Sequence, residues 1–135
     1  MDNAVALEGS LKLKEISYIH SDAYAAGELK HGPIALIEKG TIVVALMTQH
    51  ELFEKMLSNV KEVKARGAYV FAIAKEGNTE VEAIADQTLY IPEVPDMLSP
   101  VVTVIPLQLL AYYMAAEKGC DVDMPRNLAK SVTVE

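Results

Sequence analysis

Apolar residues recur at helical spacing from the start of the chain. Leu7, Leu11 and the Tyr18–Ile19 pair form a stripe that Leu13 and Ile16 widen, which predicts a helix over residues 4–19. An extended piece is expected over 21–26, with a bend at Gly27. His31-Gly32-Pro33 then opens a short helix to Ile37, with proline in a first turn that does not need its N–H. Residues 41–47, TIVVALM, read as a strand buried on both faces. Thr48 and Glu51 have the spacing of a capping box, and Leu52, Met56, Val60 and Val63 mark the buried stripe of the next helix. Gly67 stands where a C-terminal helix glycine belongs.

Two further strands are expected over 68–74 and 87–91, separated by a short helix capped at Thr79 with Glu82. Ser99-Pro100 is expected to supply the N-cap and first residue of a long apolar helix that runs to Lys118 and stops at Gly119. Pro106 deletes one hydrogen bond inside it, so a bend is expected there.

Strands alternating with helices predict an α/β, doubly wound, mostly parallel sheet of about four strands flanked by helices. Residues 1–119 read as its domain and 120–135 as a polar C-terminal tail, whose SVTVE ending looks docked. Doubly wound domains usually open with a strand, whereas this chain opens in a helix. The expectation is a sheet short of its first strand, in a piece of something longer.

A length of 135 residues suits one domain with a sizeable core, and 51% hydrophobic with 23% charged residues is the balance of a folded protein. The net charge of −7 argues against nucleic acid, whose binding needs a basic surface. One cysteine, Cys120, excludes an internal disulfide framework and fits a reducing compartment, and residues 1–10, without a basic stretch before an apolar one, are not expected to be a signal peptide. The uncharged run 97–116 is long enough for a bilayer. It carries Ser99, Pro100, Thr103, Pro106, Gln108 and two tyrosines, so the expectation is a buried helix of a cytoplasmic α/β protein without a membrane partner.

Chemistry-bearing residues crowd into 8–33. Lys12 and Glu15 share a helix face, with Glu8 one turn before. They make either a solvated ion-pair ladder or a carboxylate base beside an ammonium that can stabilise a developing oxyanion. His31 sits at a Gly-Pro turn and reads as structural or as an acid/base group. Lys130, between apolar residues of NLAKSV, is either a surface lysine or an amine able to form a Schiff base. No metal-ligand spacing and no glycine-rich nucleotide loop occurs, so no cofactor is expected.

Three stretches carry a resemblance: EGSLKLKEISYIHSDAYAAGELKHGP, PLQLLAYYMA and DVDMPRNLAKSVTVE. Together they resemble the glucosamine-6-phosphate synthase family, the glutamine-dependent fructose-6-phosphate aminotransferases. The likeness covers nearly the whole chain and corresponds to the second sugar isomerase (SIS) domain of that family. It implies an aminotransferase of amino-sugar biosynthesis, toward UDP-N-acetylglucosamine, that forms glucosamine-6-phosphate from fructose-6-phosphate and glutamine in a cytoplasmic homodimer. It implies that Glu15 is the base moving a proton between C1 and C2, and that Lys130 forms the Schiff base with the open-chain ketose. His31 would help open the sugar ring in the neighbouring subunit's site, and Lys12 would lie near the C1–C2 oxygens. The glutaminase domain and the first SIS domain, whose loop grips the phosphate, would have to come from elsewhere in a longer chain, leaving this piece inactive by itself. Rival readings are a non-catalytic sugar-phosphate-binding SIS module and a simple phosphosugar isomerase.

Overall fold

The computed structural model describes residues 1–126. Lys130 and the SVTVE ending lie outside the described residues. Helix α1 (Asp2–Ser17) comes first, followed by two short 3-10 turns, Ala26–His31 and Pro33–Leu36. Strand β1 (Ile42–Met47), helix α2 (Phe53–Ala65), strand β2 (Tyr69–Lys75), strand β3 (Gln87–Ile91) and helix α3 (Ser99–Glu117) then alternate. The described residues hold three strands rather than about four, in the order β1-β2-β3, all parallel. Ile42 pairs with Tyr69 at one end and Met47 with Ala74 at the other, so β1 and β2 are in register along their length.

Successive strand residues point to opposite faces, and the core divides accordingly. Ala45 and Met47 face α2 in a cluster with Phe53, Leu57, Val60, Val63 and Val81. Leu46, Ile73 and Ile91 face the other way, against Val5 of α1 and Leu107 of α3. The sheet is therefore covered on both sides, which is what its apolar strands require. Burial along β1 is uneven, because Ile42 at its start is 69% exposed while Ala45 to Met47 are buried. The expected two-sided burial holds only for the second half of that strand.

The expected capping box does not form. Thr48 is buried, its hydroxyl and N–H donate to the two carboxylate oxygens of Asp2 at 2.6 and 3.1 Å, and the N-cap positions that follow fall at Gln49 and Leu52. A 3-10 turn at His50–Leu52 comes next, and α2 starts only at Phe53. Its buried stripe is Phe53, Leu57, Val60 and Val63, so the expected Leu52 and Met56 are displaced by their larger or better-placed neighbours. Thr79 likewise caps no α-helix: Thr79–Ala83 is a 3-10 turn, and Glu82 accepts a hydrogen bond from the Tyr90 hydroxyl instead. Ser99 is helical and not the N-cap, because the turn Asp96–Leu98 feeds directly into α3 and leaves its Oγ buried without a partner.

Helix α3 runs through Pro106 as one element and presents Ser99, Thr103, Leu107, Ala111 and Ala115 to the interior. Leu107 in this row meets α1 at Gly9, where the missing side chain lets the two helices approach closely. The opposite face of α3, with Val101, Ile105, Leu109, Tyr112 and Tyr113, is exposed. The expected burial of the apolar run is thus realised along one edge only.

One ion pair was not anticipated. Lys75, the last residue of β2, has a side chain only 4% exposed. Its ammonium donates to the Val94 carbonyl at 2.7 Å, to Asp96 at 2.6 Å and to Glu93 at 3.3 Å, strapping the loop that leads into α3. The Lys75 hydrogen bond holds the Asp96 carboxyl below its usual range, against a smaller opposing effect of burial. A carboxyl depressed on folding contributes stability above its unfolded pKa, near 4, and loses it as pH falls through the folded value. Asp96→Asn should therefore lower the urea midpoint at pH 6, and lower it by less at pH 3. A gap of equal size at both pH values would refute the assignment.

Candidate functional site

The first turn of α1 is tied by Asp2 to Thr48, just beyond the carboxyl end of β1. The helix then runs back across the sheet, so its last turns lie toward the opposite, amino edge of the strands. There the Lys12 ammonium donates to Glu15 at 2.7 Å and lies 3.5 Å from Glu8. The Glu15 side chain is 22% exposed and that of Lys12 33%, half-sheltered positions within reach of a ligand. The hydrogen bond to Glu15, reinforced by both carboxylates, raises the Lys12 pKa above its ordinary value, with partial burial opposing. Lys12 therefore stays cationic throughout the neutral range. A carboxylate held against a fixed cation can take a proton from carbon, while the cation stabilises oxygen charge developing nearby.

The chain beyond α1 closes around this end. Ser10 and Ser21 exchange hydrogen bonds, folding the chain back along the helix. Tyr18 ends α1 in the left-handed region, at φ 58°. Lys118, just past α3, donates to the Ser17 carbonyl at 2.5 Å, a cation where a helix terminus leaves a carbonyl without a partner. The Arg126 guanidinium stacks 4.1 Å from the centre of the Tyr18 ring, and the Arg126 N–H donates to the Tyr18 hydroxyl at 2.9 Å. The C-terminal segment thus returns to the end of α1 that carries Lys12 and Glu15.

The other anticipated residues fall elsewhere. His31 is exposed at the end of its 3-10 turn. Its neighbours Leu29 and Lys30 pack on the α2 side, where Lys30 pairs with Glu62 at 2.5 Å. His31 therefore sits in the layer opposite α1. His20 is exposed, 3.4 Å from Asp22. His50 lines a crevice of about 320 Å³ at the carboxyl ends of β1 and β2, with Phe53, Glu54, Gly77, Asn78, Thr79 and Glu80. Open parallel sheets often take ligands at that edge. Here two carboxylates line it, a poor setting for a phosphate.

Tyr18, Lys118 and Arg126 were missed as members of the site. A tyrosine in a left-handed turn leaves no trace in composition or spacing, and contacts between residues about a hundred positions apart have no local signal.

A sheet faced by helices on both sides, with an acid–amine pair at one helix end, defines a class that comparison makes specific. The SIS domain family matches residues 1–118, and the chain belongs to that family. Within it, the chain is 71% identical over its whole length to the glutamine--fructose-6-phosphate aminotransferase (isomerizing) of Caldanaerobacter subterraneus subsp. tengcongensis. It is 62% identical over 96% of its length to the enzyme of the same name from Thermus thermophilus. The chain spans about 22% of the length of each of these relatives. Among solved structures, it matches the C-terminal domain of glucosamine-fructose-6-phosphate aminotransferase from Francisella tularensis, with a TM-score of 0.84 and 46% identity. That match covers 90% of this chain and 34% of the other. A tagatose-6-phosphate ketose/aldose isomerase homologue from Clostridium novyi, at 20% identity and a TM-score of 0.85, covers 98% of this chain and 38% of its own, and shares the fold.

Proposed function

We propose that this chain is the second isomerase domain of an enzyme that makes glucosamine-6-phosphate from fructose-6-phosphate and glutamine. The observation that carries the reading is the Lys12–Glu15 pair at the end of α1, with the C-terminal segment latched beside it by Arg126 on Tyr18. The identity to the named aminotransferases supports it along the whole chain.

In this reading His31, supplied to the neighbouring subunit's site in a homodimer, helps open the sugar ring. The Lys130 amine then attacks C2 of the open-chain ketose. The carbonyl oxygen leaves as water with two protons, and an imine joins C2 to the lysine. Ammonia adds at C2, and the lysine departs with a proton, leaving the ketose imine. Glu15 takes the proton from C1 and returns one to C2, while the C1 hydroxyl gives up its proton and the imine nitrogen gains one, which converts the ketose imine to the 2-amino aldose. Lys12 holds the charge that develops on the oxygen during this transfer. The glutaminase that releases ammonia and the first SIS domain that grips the phosphate belong to the rest of a longer, soluble, cytoplasmic protein. No step calls for a metal or organic cofactor.

The test is to supply the full-length protein with fructose-6-phosphate and glutamine labelled with ¹⁵N in its amide. Labelled glucosamine-6-phosphate is expected; isomerised sugar phosphate without nitrogen would favour a simple isomerase and overturn the reading. The 135-residue chain alone is expected to give no turnover with either glutamine or ammonia, because the phosphate grip is missing. Measurable product from it would refute that expectation.

A further inference from the structure

Tyr18 is the only residue other than glycine with a positive φ among the described residues. A β-carbon in the left-handed region crowds the following carbonyl, and a helix end of this shape is ordinarily made by glycine or asparagine. The strain is accepted here where the tyrosine ring does something glycine cannot do. Its face receives the Arg126 guanidinium at 4.1 Å, and its hydroxyl accepts the Arg126 N–H at 2.9 Å. Two different groups of one residue are thus held by two different parts of another. Lys118 adds a second tie between the C-terminal side of the chain and the same helix end, through the Ser17 carbonyl.

We propose that Tyr18 is a positioning residue, which seats the C-terminal segment at the Lys12–Glu15 end of α1 through its grip on Arg126. The proposal rests on the reading of Lys130 as the imine-forming amine. Chain geometry makes the link direct. Glu15 lies three residues before Tyr18, one helical turn away, and Lys130 lies four residues after Arg126, about 14 Å at full extension. Whatever fixes Arg126 therefore fixes the point from which the chain leads on to Lys130.

The experiment uses the full-length protein. Tyr18→Gly relieves the left-handed strain and removes the latch together, so a purely structural role predicts normal catalysis from a protein no less stable. If the latch positions the amine, kcat should fall by about 10²-fold, the usual effect of misplacing a reacting group by an ångström, with KM for fructose-6-phosphate changed less than about threefold. Borohydride reduction of the imine between Lys130 and the ketose should trap correspondingly less adduct. Tyr18→Phe keeps the ring beneath the guanidinium and should restore most of the rate. Arg126→Ala, an exposed position, repeats the loss without touching the helix end. Normal kcat and trapping in both Tyr18→Gly and Arg126→Ala would overturn the proposal while the reaction reading stands. An active Lys130→Ala enzyme that traps no adduct would instead overturn the reading beneath it.

Discussion

Replacing Glu15 by glutamine in the full-length protein is expected to reduce glucosamine-6-phosphate synthesis by about 10²- to 10⁴-fold, the range over which a positioned general base acts. The substitution is nearly isosteric, and its amide oxygen can still accept the Lys12 hydrogen bond seen at 2.7 Å. What disappears, in the proposed mechanism, is the capacity to take a proton from C1. Little stability should be lost, because an ion pair this exposed between residues three apart is worth about 0.5 kcal/mol or less. The variant should therefore unfold at nearly the parental denaturant midpoint, bind fructose-6-phosphate and form the Lys130 imine, but stall before the proton moves. Solvent-deuterium exchange at C1 should vanish with turnover. The Lys12 amine, whose raised pKa owes most to the Glu15 hydrogen bond, should titrate lower in the variant. A rate within tenfold of the parent would remove Glu15 from the role of base.

The fold was legible because its strongest signals are local. Alternation of buried strands and amphipathic helices fixed the three parallel strands within a residue or two, and Gln87–Ile91 falls where the pattern put it. What failed were the caps. Thr48, Thr79 and Ser99 all have the chemistry of N-caps, yet Thr48 is claimed by Asp2 from 46 residues away, and 3-10 turns displace the helix starts near the others. A capping side chain has several possible partners, and tertiary structure chooses among them. The site divides in the same way. Lys12 and Glu15 were readable together because helical spacing alone makes them neighbours. Lys75 was not, since a lysine ending an apolar strand looks like a surface residue until Val94, Asp96 and Glu93 are seen closing over it.

Gly9→Val is expected to cost about 3 kcal/mol, the upper part of the range for overpacking a close contact, and to lower the melting temperature by roughly 10 °C. Gly9 is the buried point at which α1 meets α3. A β-carbon built there would lie 2.7 Å from Leu107 Cδ1, 3.1 Å from its Cβ and 3.2 Å from its Cγ. The first contact is with the free end of a side chain, which can swing away. The other two are with atoms near the α3 backbone, which can yield only if the helix moves. Alanine would set that crowding against a gain of about 1 kcal/mol from replacing glycine inside a helix, so Gly9→Ala should lie within about 1 kcal/mol of the parent. Valine adds two further carbons into the same gap and, being β-branched, has few rotamers in a helix with which to avoid Leu107. Lys14→Val on the exposed side of α1 is the control for propensity, with an expected cost of only about 0.5 kcal/mol. Because α1 carries Lys12 and Glu15, an outward shift at Gly9 also moves the acid–amine pair. Activity in the full-length Gly9→Val protein should thus fall further than its folded fraction does. A valine variant as stable as the alanine one would show that the two helices do not need their close approach.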